Sequence, residues 1–186
     1  MTRQQRMRVE LPAIIALGGN LGDREATIRA AVAAIGRLPG VKIAAASSLV
    51  ESAAVTPDGI DETAPAYLNA VIRVRTSLDP EALLAALHGI EADLGRERIV
   101  HWGDRTIDLD LISHAGSMRE TETLTLPHPR AWQRAFVLEP WLEIQPDARL
   151  PGRGLIADLA RAATDTVTPF PAAPLLARPP VAEALR

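Results

Sequence analysis

The sequence predicts an α+β or α/β fold, a mixed sheet with helices packed on it. Three observations carry this. Segments 13–17, 41–49, 67–76 and 106–112 are patterned as strands. Segments 24–38 and 81–94 repeat apolar residues at helical spacing and lie between those strands. The chain has 186 residues, is 47% apolar and contains no cysteine, so its core must form by packing alone. At this length one domain buries roughly 70% of its unfolded surface and needs neither a disulfide nor a structural metal.

The first strand is the apolar run AIIAL at 13–17, closed by Gly18 and Gly19. Asp23 is placed to cap a helix whose Ile28, Val32, Ile35 and Leu38 share a face, and Pro39-Gly40 ends it. Val41, Ile43 and Ala45 alternate as a second strand. Residues 52–66, with two prolines and several acids, form a long loop, and such loops are more often functional than idle. Residues 67–76 alternate Leu68, Ala70, Ile72 and Val74 against Asn69, Val71, Arg73 and Arg75, which predicts a half-buried strand. Asp79-Pro80 is an N-cap and first-turn pair for a helix carrying Leu83, Leu87, Ile90 and Leu94. TIDLDLI at 106–112 is the last strand. Residues 131–144 read as helical with an interruption at Pro140, and 155–163 as a short helix. The expected organisation is one domain over 11–167 and a flexible Pro- and Ala-rich tail over 168–186.

Composition excludes several classes. Without cysteine there is no thiolate zinc site, iron–sulfur cluster or cysteine nucleophile. Twenty basic against 23 acidic residues give a net charge of −3, unlike a protein that coats nucleic acid. The opening MTRQQRMRVELP lacks the apolar stretch of a signal peptide. The apolar runs fall far short of the ~20 residues that cross a bilayer. A cytoplasmic monomer acting on small molecules is expected, with no nucleic-acid or membrane partner.

The chemistry concentrates around 96–136. Asp108 and Asp110 stand two apart in a strand, so both point to one face, about 6.6–6.8 Å apart along the backbone, while Ile107, Leu109 and Leu111 point into a core. Two carboxylates on an otherwise apolar strand are costly to bury without a compensating charge. A Mg²⁺ ion with hard oxygen ligands supplies one; a solvated edge strand is the alternative. Arg96, Arg98 and Arg105 precede the acids, and His128, Arg130 and Arg134 follow. Arginine forks match phosphate oxygens, and carboxylate-held Mg²⁺ among arginines suits phosphoryl transfer. A salt-bridge network is the competing reading. Gly18-Gly19-Asn20-Leu21-Gly22-Asp23 lacks the lysine of a P-loop; it is a weak phosphate cradle or simply a tight turn. Of six aromatic residues, Tyr67, Trp102, Trp132 and Phe136 lie in or beside these segments. That suggests stacking on a flat heterocycle, although for Trp132 and Trp141 core packing is the better reading. The Asn69 amide could read a heterocycle edge.

ALGGNLGD, YLNAV, the GRER…HWGDRTIDLDLI block and LPHPRAWQRAFVLEPWLEI together resemble the 6-hydroxymethyl-7,8-dihydropterin pyrophosphokinase family of the folate pathway, in order from about residue 13 to 160. The resemblance implies a ferredoxin-like α/β sandwich. It implies transfer of pyrophosphate from ATP to the pterin hydroxymethyl oxygen, with AMP released. By position, Asp108 and Asp110 would hold two Mg²⁺ ions. Arg96, Arg105, His128 and Arg134 match residues around the ATP phosphates, Arg98 and Arg130 flank them, and Glu91 matches a residue near the nucleotide. Trp102 falls in the mobile catalytic loop. Asn69 and Phe136 match pterin contacts, the Phe stacking on the ring with Tyr67 opposite, and the segment of Ser52, Ala53 and Val55 meets the pterin edge. The chain departs from the pattern at Asp104, where the family usually has Pro, at His101, and in a 52–66 loop that is longer than common, with Ala53, Ala54 and Ala64 at altered positions. A paralogue acting on a related pterin alcohol, a non-catalytic pterin or nucleotide binder, and a metal-dependent phosphohydrolase are the alternatives.

Overall fold

The computed structural model describes residues 9–56, 59–61, 64–95 and 105–176. In chain order the elements are β1 (Leu11–Gly19), α1 (Arg24–Arg37), β2 (Val41–Ala46), β3 (Val50–Ser52), β4 (Ala54–Thr56), β5 (Gly59–Asp61), β6 (Tyr67–Thr76), α2 (Pro80–Asp93) and β7 (Asp108–His114). There follow β8 (Arg119–Glu120), β9 (Thr125–Leu126), a 3-10 turn at Ala131–Gln133, α3 (Ala135–Ile144), β10 (Arg149–Leu150), β11 (Gly154–Leu155), α4 (Ile156–Ala162) and β12 (Val167–Pro169). The main sheet runs β12-β3-β6-β1-β7, with β2 also paired to β6 beyond β3, and each of its pairings is antiparallel. This is the expected α+β architecture.

Both helix starts follow the sequence chemistry. Asp23 Oδ1 accepts the Ala26 amide at 3.0 Å, and Asp79 Oδ1 accepts the Ala82 amide at 2.8 Å. Each bond satisfies an amide that would otherwise have no partner in the first helical turn. The apolar stripes of α1 and α2 then lie on one face of the sheet, where Ile28, Ile35, Leu83 and Leu87 meet Ile15, Leu68 and Ile72, all fully buried. Each such side chain contributes roughly 1.5–3 kcal/mol relative to exposure.

The other face of the sheet carries a second core. Ile14, Ala16, Val71 and Ile112 pack there against Val137, Leu138 and Trp141 of α3 and Ile156 of α4. This corrects the half-buried reading of 67–76. Val71 is wholly buried and Asn69 is 3% exposed, because α3 covers the face that a lone alternating strand would leave wet. Within β6 only Tyr67, Arg73 and Arg75 retain access to solvent.

Three further expectations shift. Segment 41–49 is broken after Ala46, and the 52–66 loop contains a hairpin, β4 against β5. The helical segment 131–144 is interrupted at Arg134, not at Pro140. Arg134 is extended (φ −116°, ψ 109°), and α3 runs through Pro140. The Asp165 carboxylate accepts the Ala135 amide at 2.9 and 3.0 Å, which fixes the start of α3 immediately after Arg134. Finally, the 167/168 boundary falls within β12. Thr168 and Pro169 pair with β3, and Phe170, Leu175 and Leu176 pack on the first core. Among the described residues no helix is long and apolar enough to cross a membrane.

Candidate active site

The site is built by strand register. Gly18 of β1 lies opposite Asn69 of β6 on one side and Asp108 of β7 on the other, and Ala16 lies opposite Asp110. Residues opposite one another share a face. Asn69, Asp108 and Asp110 therefore occupy the α3 face, with Ser52 and Tyr67 paired on the same side one step along. Ile107, Leu109 and Leu111 enter the first core as the alternation required. Ile112 continues the alternation of Asp108 and Asp110 into the second core, where the pairing with β1 shifts register between Ile14 and Ile15. The acids thus sit where the apolar floor of the α3 face gives way to polar residues.

Gly18 leaves the centre of this row open. A Cβ there would lie 2.8 Å from Asn69 Oδ1, so the Asn69 amide lies across the space that a side chain at 18 would fill. Asn69 Nδ2 donates to Ser52 Oγ at 2.9 Å.

Charges of both signs converge on the acids. The Arg105 guanidinium pairs with Asp108. Burial opposes the Arg105 charge, but the Asp108 carboxylate and the Tyr67 hydroxyl outweigh it and hold its pKa above the ordinary value. Burial lowers the Arg134 pKa, against the attraction of Asp110. As an arginine it stays charged at neutral pH. Its guanidinium also lies 5.4 Å from the centre of the Phe136 ring. Asp110 is pushed up to about 7, first by burial and then by the Asp108 charge, with Glu91 adding to it and Arg134 and Arg105 opposing.

His128 is held by its backbone, which donates to the Ile112 carbonyl at 2.9 Å, with its Nε2 3.9 Å from Asp110 Oδ2. Burial first, then Arg134, lowers its pKa to about 4. At neutral pH it is an uncharged imidazole, so the contact with Asp110 is not an ion pair. Exposed Arg130 adds its positive charge to the field at both His128 and Arg134.

Asp108, Asp110, Arg105, Arg134, His128, Glu91, Tyr67, Asn69, Ser52 and Phe136 thus frame one end of the sheet. Ala53 follows β3 at the border of this region. Val55 lies in β4, where its backbone pairs with Ile60. Arg96, Arg98 and Trp102, with His101 and Asp104, lie outside the described residues. Trp132 packs on the second core, stacks against the Arg153 guanidinium at 4.4 Å and lines a cavity with His128 and Pro129. Sequence reasoning missed Asn20 as a site neighbour. It is 4% exposed and bonded to the Arg105 backbone, and its only signal was its place in the GGN run.

The donor set suits a hard divalent cation. Among the described residues no three His, Asp or Glu side chains form a complete cage. A two-carboxylate site is what Mg²⁺ uses when substrate phosphates and water complete its shell. Two crowded acids, one of them raised to about 7, are stabilised by a cation between them.

Acids that favour a cation, facing arginines that favour an anion, are what a phosphoryl-transfer enzyme requires, and the α+β frame carries them on adjoining strands and loops. Comparison with known proteins narrows this class. Residues 14–146 match the model of the 7,8-dihydro-6-hydroxymethylpterin-pyrophosphokinase family. The chain is 44% identical over 132 residues to the 2-amino-4-hydroxy-6-hydroxymethyldihydropteridine pyrophosphokinase of Bacillus subtilis, covering 71% of this chain and 77% of that protein. It is 36% identical over 155 residues to the enzyme of the same name from Haemophilus influenzae, covering 83% and 94%. Among solved structures, wild-type Plasmodium falciparum HPPK-DHPS superposes with a TM-score of 0.66 at 13% identity, covering 85% of this chain. This chain spans 42% of that longer one, and the likeness concerns the fold. The protein belongs to the 7,8-dihydro-6-hydroxymethylpterin-pyrophosphokinase family.

Proposed function

We propose that the protein transfers the pyrophosphoryl group of ATP to the hydroxymethyl oxygen of 6-hydroxymethyl-7,8-dihydropterin, releasing AMP, as a step of folate biosynthesis. The observation that carries this reading is the pair Asp108 and Asp110 on one face of β7 with Arg105 and Arg134 converging on it. Family membership and the names of the relatives support the two substrates.

Asp108 and Asp110 would hold Mg²⁺, in this reading two ions. When bound, such cations bridge phosphate oxygens and neutralise their charge. Arg105 and Arg134 bind the phosphate chain and stabilise charge that develops on it in the transition state. Arg96, Arg98, Arg130 and Trp102 complete the ATP side by their positions in the sequence. Neutral His128 offers a hydrogen bond to a phosphate oxygen without adding charge. Glu91 holds the acid-bearing strand in place beside the nucleotide. On the acceptor side, Asn69 reads the pterin edge, Phe136 and Tyr67 flank its ring, and the Ser52, Ala53 and Val55 segment borders it. The new bond joins the hydroxymethyl oxygen to the β-phosphorus. The bond from that phosphorus to the oxygen shared with the α-phosphate breaks, and AMP leaves. Positioning and charge neutralisation therefore supply most of the rate. The protein would act as a cytoplasmic monomer.

AMP formation from MgATP tests the reading directly. AMP that accumulates only when the pterin alcohol is present supports it. ATP breakdown indifferent to the pterin would replace it with hydrolysis.

A further inference from the structure

We infer that Asn20 is a positioning residue that fixes Arg105 and the end of the 53–66 segment to one another. Three of its hydrogen bonds within the described residues carry this inference. Its Oδ1 accepts the Arg105 amide at 2.9 Å, and its own amide donates to the Arg105 carbonyl at 3.0 Å. Residue 105 is therefore held by both of its backbone polar groups. The Asn20 Nδ2 donates to the Pro65 carbonyl at 3.3 Å, two residues before Tyr67. One buried carboxamide thus joins two positions that lie 45 and 85 residues further along the chain.

The two glycines before Asn20 make this contact possible. A Cβ on Gly19 would lie 2.3 Å from the Thr106 carbonyl oxygen, a contact that the backbone could not relieve. Gly19 lets the end of β1 lie against residues 105 and 106, while Gly18 makes room for the Asn69 amide. The GGN run is a junction between the phosphate-side arginine and the acceptor-side strand. Arg24 adds a second anchor on the acceptor side, where its Nη1 donates to the Ala66 carbonyl at 2.7 Å.

The consequence for activity rests on the transfer proposed above. Displacing the Arg105 backbone moves its guanidinium away from Asp108 and from the phosphate chain, and a misplacement of about 1 Å can cost about 100-fold in rate. The substitution Asn20→Asp separates the two links. It keeps an oxygen acceptor for the Arg105 amide and removes the donor to Pro65. Its kcat should stay within about threefold of wild type while KM for the pterin rises about tenfold, as expected for one lost buried hydrogen bond. Asn20→Ala loses both side-chain bonds and leaves only the backbone bond to the Arg105 carbonyl, so its kcat should fall about 100-fold and KM should rise as well. Exchange of the Arg105 amide proton gives a readout independent of turnover. It should stay slow in Asn20→Asp and become fast in Asn20→Ala. Unchanged kcat and KM in Asn20→Asp, or an Arg105 amide equally protected in both variants, would overturn the inference. If Asn20→Ala does not fold, the KM-against-kcat split of Asn20→Asp decides alone. Should the wild-type protein form no AMP with the pterin, the proposed function fails, and the exchange comparison still decides the junction.

Discussion

The Leu109 amide donates to Glu91 Oε1 at 2.7 Å, and Leu109 stands between Asp108 and Asp110. Strand β7 is the last in the sheet, so a buried amide there depends on an acceptor from outside the ladder. Glu91, 2% exposed on the inner face of α2, supplies it. Its carboxylate fixes the strand that carries both acids, and its charge also helps raise the Asp110 pKa.

Glu91→Ala leaves that amide without its acceptor and should cost about 1–3 kcal/mol. Glu91→Gln keeps an oxygen acceptor and should restore most of the loss, as measured by thermal melts at one pH. If the Gln variant melts as low as the Ala variant, the hydrogen bond is not what Glu91 contributes.

The raised Asp110 pKa makes stability and cation binding depend on pH. The folded protein keeps a proton that the unfolded chain releases between the ordinary 3.8 and about 7. Without a cation, Asp110 therefore lowers stability as pH rises through that window. His128 acts with the opposite sign, because its folded pKa of about 4 lies below the ordinary 6.5. It adds stability as pH rises between those values. The two slopes oppose each other below about 6.5, so the Asp110 effect is cleanest as the difference between wild type and Asp110→Asn. In the proposed reading Mg²⁺ would bind the deprotonated pair, so its affinity should fall about tenfold for each pH unit below 7. The rise in Tm on adding Mg²⁺ should be larger at pH 8 than at pH 6, and absent in Asp110→Asn. Equal Mg²⁺ shifts at both pH values would contradict this site.

Arg105→Ala should lower kcat on the order of 10²–10³-fold and change KM for the pterin little, since the charge it faces develops on the transferring group. Steady-state kinetics with both substrates varied would show this. A raised pterin KM with unchanged kcat would move Arg105 out of the phosphate site.

Asp165 caps the break that presents Arg134. Asp165→Ala should cost about 1 kcal/mol of stability and weaken ATP binding more than pterin binding. Equilibrium titration with each ligand separates the two effects, and an equal loss for both would mean that the cap does not act through Arg134.

Local chemistry made much of the fold legible. Asp23 and Asp79 mark their helix starts because each side chain bonds an amide three residues on. The period-two pattern placed Asp108 and Asp110 on one face and Leu109 in the core. The second apolar face of β6 was hidden, because Val71 is a single apolar position until α3 covers it. The break at Arg134 was also hidden. Proline is the visible helix breaker, whereas the actual cap comes from Asp165, 30 residues away. The tail composition concealed β12, since Thr168 and Pro169 pair only with a strand more than a hundred residues earlier. In the site, the acids and arginines were visible as residue types. The Asn20 junction was not, because it exists only when β1, the end of the 53–66 segment and Arg105 meet in space.

The most direct test is a ³¹P NMR spectrum of the products formed from MgATP and 6-hydroxymethyl-7,8-dihydropterin. The expected result is AMP and a pterin bearing two linked phosphoryl groups in equal amounts, with both absent when Asp110→Ala replaces the wild-type protein. ADP with a singly phosphorylated pterin, inorganic phosphate released without the pterin, or undiminished turnover by Asp110→Ala would contradict transfer of a pyrophosphoryl group at the Asp108–Asp110 site.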